Sequence, residues 1–348
     1  MKKLKINIVV PSTVLGGGLR IIFTYANYLT SRGHDVIVYV PKLFAWLDIN
    51  NGKINYRTSI ANTFKRRKKI DWFDNKFKVE LALKISDKYI RDADISIATA
   101  WFTARNVYNL SKSKGKKIYF VQDYEIWHQD KNIVDNTYKL DMKKICITNT
   151  LANKIYKECG VDSEVIYNGI DDNEFLQDNK IVNKNKTIIM LGNFSDYKGG
   201  KEGLKILIEA KKKYNCRIII FGVTKPNFIP SDIEYYVKPK RNKLISLYRE
   251  SDILLFPSLK EAWGLTAIEA MANKVAVVGM KTGCLYEIGI HKKNCLLSNG
   301  SFDDLKSNLF KLINDNDLIS ELIQNAYETV QKFKWSESFD KFEKKMLK

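Results

Sequence analysis

The strongest constraint on this chain is a strand, loop, helix and strand pattern that opens it and begins again in its second half. Ile6–Val10 is a short β-rich apolar run, the mark of a strand covered on both faces. Gly16-Gly17-Gly18 interrupts it, and Leu19–Ser31 then carries Leu19, Ile22, Phe23, Ala26 and Leu29 on one helical stripe. Gly33 stands where a helix ends on a left-handed residue, and Val36–Val40 is the next apolar run. Such a βαβ unit starts a doubly wound parallel sheet. Further runs follow at Ile95–Ala98, Ile118–Val121, Ile145–Thr148 and Val165–Tyr167, while residues 44–80 are irregular and rich in aromatics, Lys and Arg. Asn168-Gly169-Ile170-Asp171 is a turn-rich break. Beyond a polar stretch at 177–186, a second series runs through Ile188–Leu191, Arg217–Phe221, Ile253–Phe256 and Val275–Val278. A chain of 348 residues is long for one core. The expectation is α/β, two doubly wound domains, 1–168 and 169–335, and a terminal amphipathic helix with Trp335, Phe339, Phe342 and Met346 on one side.

Bulk properties remove other classes. No stretch of about 18 apolar residues occurs, and the basic start followed by Ile6–Val10 and Pro11 reads as a first strand instead of a targeting segment. The five cysteines form no CxxC pair and are expected as free thiols in a reducing cytosol. His34, His128 and His291 are scattered, so no metal site is expected. The net charge of +19 is uneven, +13 over residues 1–168 and +6 over 169–348, a field that attracts polyanions or an anionic membrane face.

Two segments carry candidate chemistry. Gly16, Gly17 and Gly18 stand between a strand and a helix, where backbone N–H groups can approach a phosphate; glycines also make ordinary turns. A dinucleotide fingerprint fails, because Ile21 occupies its third glycine and no acid follows Val40-Pro41-Lys42. No GxxxxGK[ST] loop occurs. In the second half, Ile253–Phe256 runs into Pro257-Ser258-Leu259-Lys260-Glu261-Ala262-Trp263-Gly264 and a helix follows. Glu261 falls at the carboxyl end of a strand, where open α/β sheets bind ligands. The N–H groups of Gly264, Leu265 and Thr266 fall at the helix start, and Glu269 lies one turn on. Two carboxylates bracketing a phosphate site suit a nucleotide sugar; a solvated loop charge and a helix surface charge would have the same spacing.

The segment Glu261 to Glu269 resembles the E-x7-E signature of family-4 glycosyltransferases, a retaining family of GT-B fold. The resemblance extends to Gly-Gly-Gly-Leu-Arg and Arg32-Gly33-His34-Asp35-Val36 near the start, to Tyr167-Asn168-Gly169-Ile170-Asp171, to Leu191-Gly192-Asn193-Phe194-Ser195-Asp196-Tyr197-Lys198-Gly199, and to Trp335 before the last helix. It implies two Rossmann-like domains facing across a cleft, with residues 336–348 packing back on the first. It assigns Glu269 to the donor ribose, Glu261 to the transferred sugar, Lys198 to the leaving diphosphate, and Gly17 and Gly18 to the phosphate from the other domain. The family's arginine after Gly192 is here Asn193, leaving Lys198 to act alone or Lys201 or Arg241 to substitute. Ala262 stands where glycine is usual.

Phe120-Val121-Gln122-Asp123-Tyr124-Glu125-Ile126-Trp127-His128 resembles a subgroup from bacterial surface-polysaccharide pathways, some of which move rhamnose from a thymidine nucleotide. Asp123 is accordingly expected near the sugar or acceptor hydroxyl, against the alternative of a polar loop shaping a cleft floor. Lys65, Arg66, Arg67, Lys68 and Lys69, followed by Trp72 and Phe73, form a basic run suited to an anionic membrane or simply to solvent. No RNP, KH or helix-turn-helix pattern supports nucleic acid. The resulting expectation is a cytoplasmic, peripherally membrane-associated enzyme. It moves a sugar from a nucleoside-diphosphate sugar to a glycan or lipid-linked acceptor without metal or cofactor. Two alternatives stay open: a GT-B sugar-nucleotide epimerase, and a non-catalytic polyanion- or membrane-binding protein.

Overall fold

The computed structural model describes residues 3–47, 54–58, 70–126 and 130–347, with the backbone alone for 44–47 and 54–58. The basic run Lys65–Lys69, and Trp127 and His128, lie outside the described residues. The chain divides into two compact units, Met1–Tyr167 with Ser338–Lys348, and Asn168–Glu337.

In the first unit the elements run β1 (Lys5–Val9), α1 (Gly17–Ser31), β2 (Asp35–Pro41), β3 (Leu43–Leu47), β4 (Ile54–Thr58), β5 (Lys78–Ala82), β6 (Ile95–Ala98), α2 (Trp101–Tyr108), β7 (Lys116–Val121), α3 (Lys131–Tyr138), β8 (Lys143–Cys146), α4 (Asn149–Cys159) and β9 (Glu164–Val165). Among the described residues they form a parallel sheet of order β5-β2-β1-β6-β7-β8-β9, with β3 and β4 as a separate antiparallel pair. Its strands are continuous apolar runs because helices cover both faces. Strand β1 has β2 on one side and β6 on the other. The strand order therefore reverses at the β1–β6 crevice, where ligands of such sheets bind at the carboxyl ends.

The second unit contains β10 (Thr187–Leu191), α5 (Gly200–Tyr214), β11 (Arg217–Gly222), β12 (Glu234–Val237), α6 (Arg241–Glu250), β13 (Ile253–Phe256), α7 (Leu265–Ala272), β14 (Ala276–Met280), α8 (Cys284–Glu287), β15 (Leu296–Ser298), α9 (Phe302–Ile313) and α10 (Asn316–Val330). Its sheet, order β12-β11-β10-β13-β14-β15, is parallel throughout and reverses between β10 and β13. Ile188, Met190, Ile220, Leu255, Val278, Leu207, Leu309 and Leu322 lie in its core, each fully buried. Strands β5, β12 and β15 are absent from the sequence reading: β12 (EYYV) and β5 (KVELA) carry charge, and β15 is three residues long.

The last helix, α11 (Trp335–Leu347), leaves the second unit and finishes the first. Phe342 packs on Tyr25 and Phe120, with ring centroids 4.5 and 5.4 Å apart, and Phe339 stacks on Tyr28 at 4.3 Å. Phe342 and Met346 are buried, as the stripe on this helix requires. Beneath them the buried His34 ring accepts from the Leu4 N–H through Nδ1 at 3.1 Å and places Nε2 3.0 Å from Glu343 Oε1. Asp92 and Asp94, just before β6, have structural partners. Asp92 pairs with Lys114 at 2.7 Å, and Asp94 accepts from the Lys5 N–H at 2.7 Å.

Candidate functional site

In the second unit two loops meet where the strand order reverses. The loop after β10 passes Gly192 and Asn193, makes a helical turn at Asp196–Lys198 and enters α5 through Gly199. Gly199 has φ +61°, and a Cβ there would stand 2.2 Å from the Pro257 carbonyl oxygen. Only glycine tolerates both conditions, and the loop can therefore press onto the residue that follows β13. The Tyr197 carbonyl fastens the approach, accepting from the N–H groups of Leu259 and Lys260 at 3.0 and 3.1 Å. Lys198 Nζ thereby comes 2.7 Å from Glu261 Oε1, with side chains 18% and 13% exposed.

Two residues beyond Trp263 the chain enters α7. Its N-cap is Gly264, at φ +85°, and no side chain caps the first turn, leaving N–H groups of Leu265 and Thr266 directed at the loop. One turn on, Glu269 is nearly buried, at 4% exposure. Arg241 Nη1 stands 2.9 Å from its Oε1, and the Tyr248 hydroxyl donates to its Oε2 at 3.2 Å. Arg241 in turn clasps Glu174 through Nε, 2.5 Å from Oε1, and through Nη2 to Oε2.

These contacts bear on the two options left by the missing arginine. The Arg241 guanidinium lies between Glu174 and Glu269. Lys201 is 62% exposed and 3.6 Å from Asp196, a solvated pair worth little. Asn193 uses its side-chain oxygen locally, accepting from Ser195 N–H at 3.2 Å and Ser195 Oγ at 2.9 Å. Lys198 is the cation that this loop brings to Glu261.

In the first unit Gly16, Gly17 and Gly18 open α1. Gly16 is extended, at φ −168°, and no side chain caps the helix. A Cβ on Gly18 would meet only the Gln122 amide, at an ordinary 3.5 Å. These contacts bring the loop after β1 against the loop after β7, beside the strand-order reversal. Gln122 Oε1 is buried there without a hydrogen-bond partner. Asp123 folds onto its own loop, Oδ1 accepting from the Tyr124 N–H at 2.7 Å. Glu125 Oε2 accepts from the Trp101 N–H at 2.7 Å, capping α2 from a distant segment. Burial pushes the Glu125 carboxyl up to about 8, the Trp101 hydrogen bond opposing the rise and the Asp123 charge adding to it. Sequence reading included Glu125 only within a polar segment and gave Glu174 no role. The D-Y-E spacing after a strand was the available signal for the first. For the second there was none, since 67 positions separate it from Arg241.

Among the described residues no group of three or more His, Cys, Asp or Glu is placed to hold a metal ion, and no helix is long and apolar enough to cross a membrane.

Residues 171–329 match the family model Glycosyl transferases group 1, and residues 62–151 match WsaF, N-terminal domain. An uncharacterized glycosyltransferase of Methanocaldococcus jannaschii is 30% identical over 203 residues, 56% of either chain. The capsular polysaccharide biosynthesis glycosyltransferase CapM of Staphylococcus aureus is 28% identical over 213 residues, 55% of this chain and 54% of that one. The match thus spans little more than half the length of these relatives. The crystal structure of Anabaena HepE in complex with UDP-glucose superposes with TM-score 0.73 at 16% identity, over 99% of each chain, which bears on fold alone. The Lys198–Glu261 loop pair and Glu269 all fall inside residues 171–329, the segment similar to Glycosyl transferases group 1, in a chain of GT-B fold.

Proposed function

We propose that the chain is a glycosyltransferase that uses a nucleoside-diphosphate sugar and transfers the sugar, with retention, to a glycan or lipid-linked saccharide. The observation that carries this reading is the Lys198–Glu261 pair at 2.7 Å beside the uncapped start of α7. A cation and open N–H groups suit a diphosphate whose charge grows as it leaves. Glu261 suits the hydroxyls of the transferred sugar, and Glu269 those of the nucleoside. In the transfer the acceptor oxygen bonds to the anomeric carbon while the bond from that carbon to the phosphate oxygen breaks. The acceptor proton passes to the departing phosphate, and nucleoside diphosphate is released. The glycines at the start of α1, together with Asp123, belong in this reading to the phosphate and acceptor side.

A role in surface-polysaccharide synthesis is supported by the name of the CapM relative and by the 120–128 segment, which also makes rhamnose the first sugar to try. The basic run Lys65–Lys69 is proposed to hold the protein at an anionic membrane face.

The test is steady-state kinetics on a nucleotide sugar found by thermal shift. Glu269→Gln should raise the donor KM with little change in kcat, because a nucleoside contact is shared by ground and transition states. Glu261→Gln should lower kcat and leave free nucleoside diphosphate binding unchanged. Donor turnover that needs no acceptor would replace this reading with the epimerase one. Loss of neither parameter would sink it.

A further inference from the structure

Glu269 is held in a way that an ordinary surface carboxylate is not. Arg241 and Tyr248 both come from α6, seven residues apart and therefore on one face of it. Each takes a different oxygen of the carboxylate, Arg241 Nη1 at 2.9 Å from Oε1 and the Tyr248 hydroxyl at 3.2 Å from Oε2. The plane of the carboxylate is thereby set. A second carboxylate holds the guanidinium itself. Glu174, in the turn Asp172–Glu174, takes Nε and Nη2 as a fork. The side chains of Glu174, Glu269 and Arg241 are 10%, 5% and 26% exposed. One cation therefore serves two nearly buried anions. Arg241 Nη1, although 2.9 Å from Glu269, makes no hydrogen bond of good angle. Its hold on that carboxylate is chiefly electrostatic, whereas its fork with Glu174 is directional. Nearby, Arg249 Nε donates to Asn273 Oδ1 at 3.2 Å, Lys274, just beyond α7, donates through Nζ to the Asp178 carbonyl at 2.9 Å, and Lys334 pairs with Asp172 at 2.9 Å.

We infer that Arg241, anchored by Glu174, is a positioning residue. It keeps Glu269 ionised and fixed in the orientation that accepts hydrogen bonds from the nucleoside sugar of the donor. The inference rests on the nucleotide-sugar reading above. Its physical basis is that two carboxylates sharing a site without a cation cannot both stay ionised, and one takes a proton. A protonated Glu269 loses acceptor capacity where the donor's hydroxyls need it. The guanidinium at this place accordingly governs nucleoside affinity and leaves the diphosphate to Lys198 and α7.

The experiment uses the full chain and calorimetry with UDP, TDP, GDP, ADP and CDP, taking forward whichever binds tightest, with inorganic pyrophosphate as a competitor that has no nucleoside. Wild-type affinity should change little between pH 6.5 and 8.5. Arg241→Ala should bind the nucleotide about tenfold more weakly at pH 6.5 and regain most of that loss by pH 8.5, as the Glu269 carboxyl ionises. Competition by pyrophosphate should be unchanged. Adding Glu174→Gln to Arg241→Ala removes the like charge and should restore affinity at pH 6.5. A loss in Arg241→Ala that is equal for nucleotide and pyrophosphate, or independent of pH, would show a merely structural tie and overturn the inference. So would an unchanged affinity. If none of the five nucleotides binds the wild type, or if Glu269→Gln binds as wild type does, the nucleotide reading fails and takes the inference with it. If Glu269→Gln weakens binding but Arg241→Ala does not, only the positioning role is lost.

Discussion

Helices α5 and α1 both begin on glycines beside a reversal of strand order, and the glycines do opposite things. At the start of α5, Gly199 is left-handed, and its missing Cβ is filled to 2.2 Å by the Pro257 carbonyl. There glycine is a requirement of the fold, since it lets one loop touch another and delivers Lys198 to Glu261. At the start of α1, Gly16 is extended and Gly18 would accept a Cβ at an ordinary 3.5 Å from Gln122. There the backbone asks for no glycine, and the residues leave room above an uncapped helix start. The electrostatics differ in the same sense. The second unit's site carries paired charges, Lys198 with Glu261 from its loops and Arg241 with Glu269 from its helices. The first unit's loops carry Gln122, Asp123 and Glu125, the last with a raised proton affinity. One reversal point carries a lysine paired with a carboxylate, and the other carries an amide and two carboxyl groups.

The sharpest break of that comparison is Lys198→Ala. Loss of the one cation that the second unit brings to Glu261 should cost on the order of 3 kcal/mol of transition-state stabilisation, about 100-fold in kcat. Lys201→Ala should change nothing. Near-normal turnover in Lys198→Ala would show that the second unit's charges do not face the leaving group. Next comes Gly199→Ala, expected to cost about 2–3 kcal/mol of stability by left-handed strain and overpacking, read from urea unfolding. A smaller cost would mean that the loop yields, and that the contact with Pro257 is not what places Lys198.

The third prediction tests the first unit. The ordinary carboxyl value for Glu125 is 4.5 and the folded one about 8. The folded state thus binds this proton more tightly than the unfolded chain. Its contribution to stability is complete below about 4.5 and is lost as pH rises through about 8. Wild type should lose stability relative to Glu125→Gln across that window, followed by melting temperature against pH. Parallel curves for the two proteins would mean that Glu125 is not desolvated. The smallest effect is Gly18→Ala, which should leave stability within about 0.5 kcal/mol and act only on donor or acceptor kinetics. If Gly18→Ala destabilises as much as Gly199→Ala, the contrast between the two glycine loops disappears.

The sheets and both reversal points were legible because a strand buried on two faces shows as an apolar run, and glycine marks the loop after it. Lys198 and Glu261 were legible because each stands at a fixed distance from such a run. Strands β5, β12 and β15 were not, since β5 and β12 carry charge and are only partly buried, and β15 is three residues long. Arg241 and Glu174 read as ordinary surface charges. Only packing shows that they share one nearly buried site with Glu269, and periodicity carries no information on long-range pairing of that kind. Glu125 was in view within D-Y-E, but its raised proton affinity comes from burial, which the Trp101 N–H, 24 positions away, only partly offsets.

The last helix sets a timetable for synthesis. Phe339, Phe342 and Met346 complete the core around Tyr25 and Phe120, yet the ribosome makes them only after the whole of Asn168–Glu337. At roughly 5–20 residues per second, that intervening stretch takes on the order of 10–30 s. Through that interval the nascent first unit lacks the helix that covers Tyr25 and Phe120, and at its end the second unit has all the sequence it needs to close. The half of the molecule that emerges first is therefore the half whose sequence is completed last.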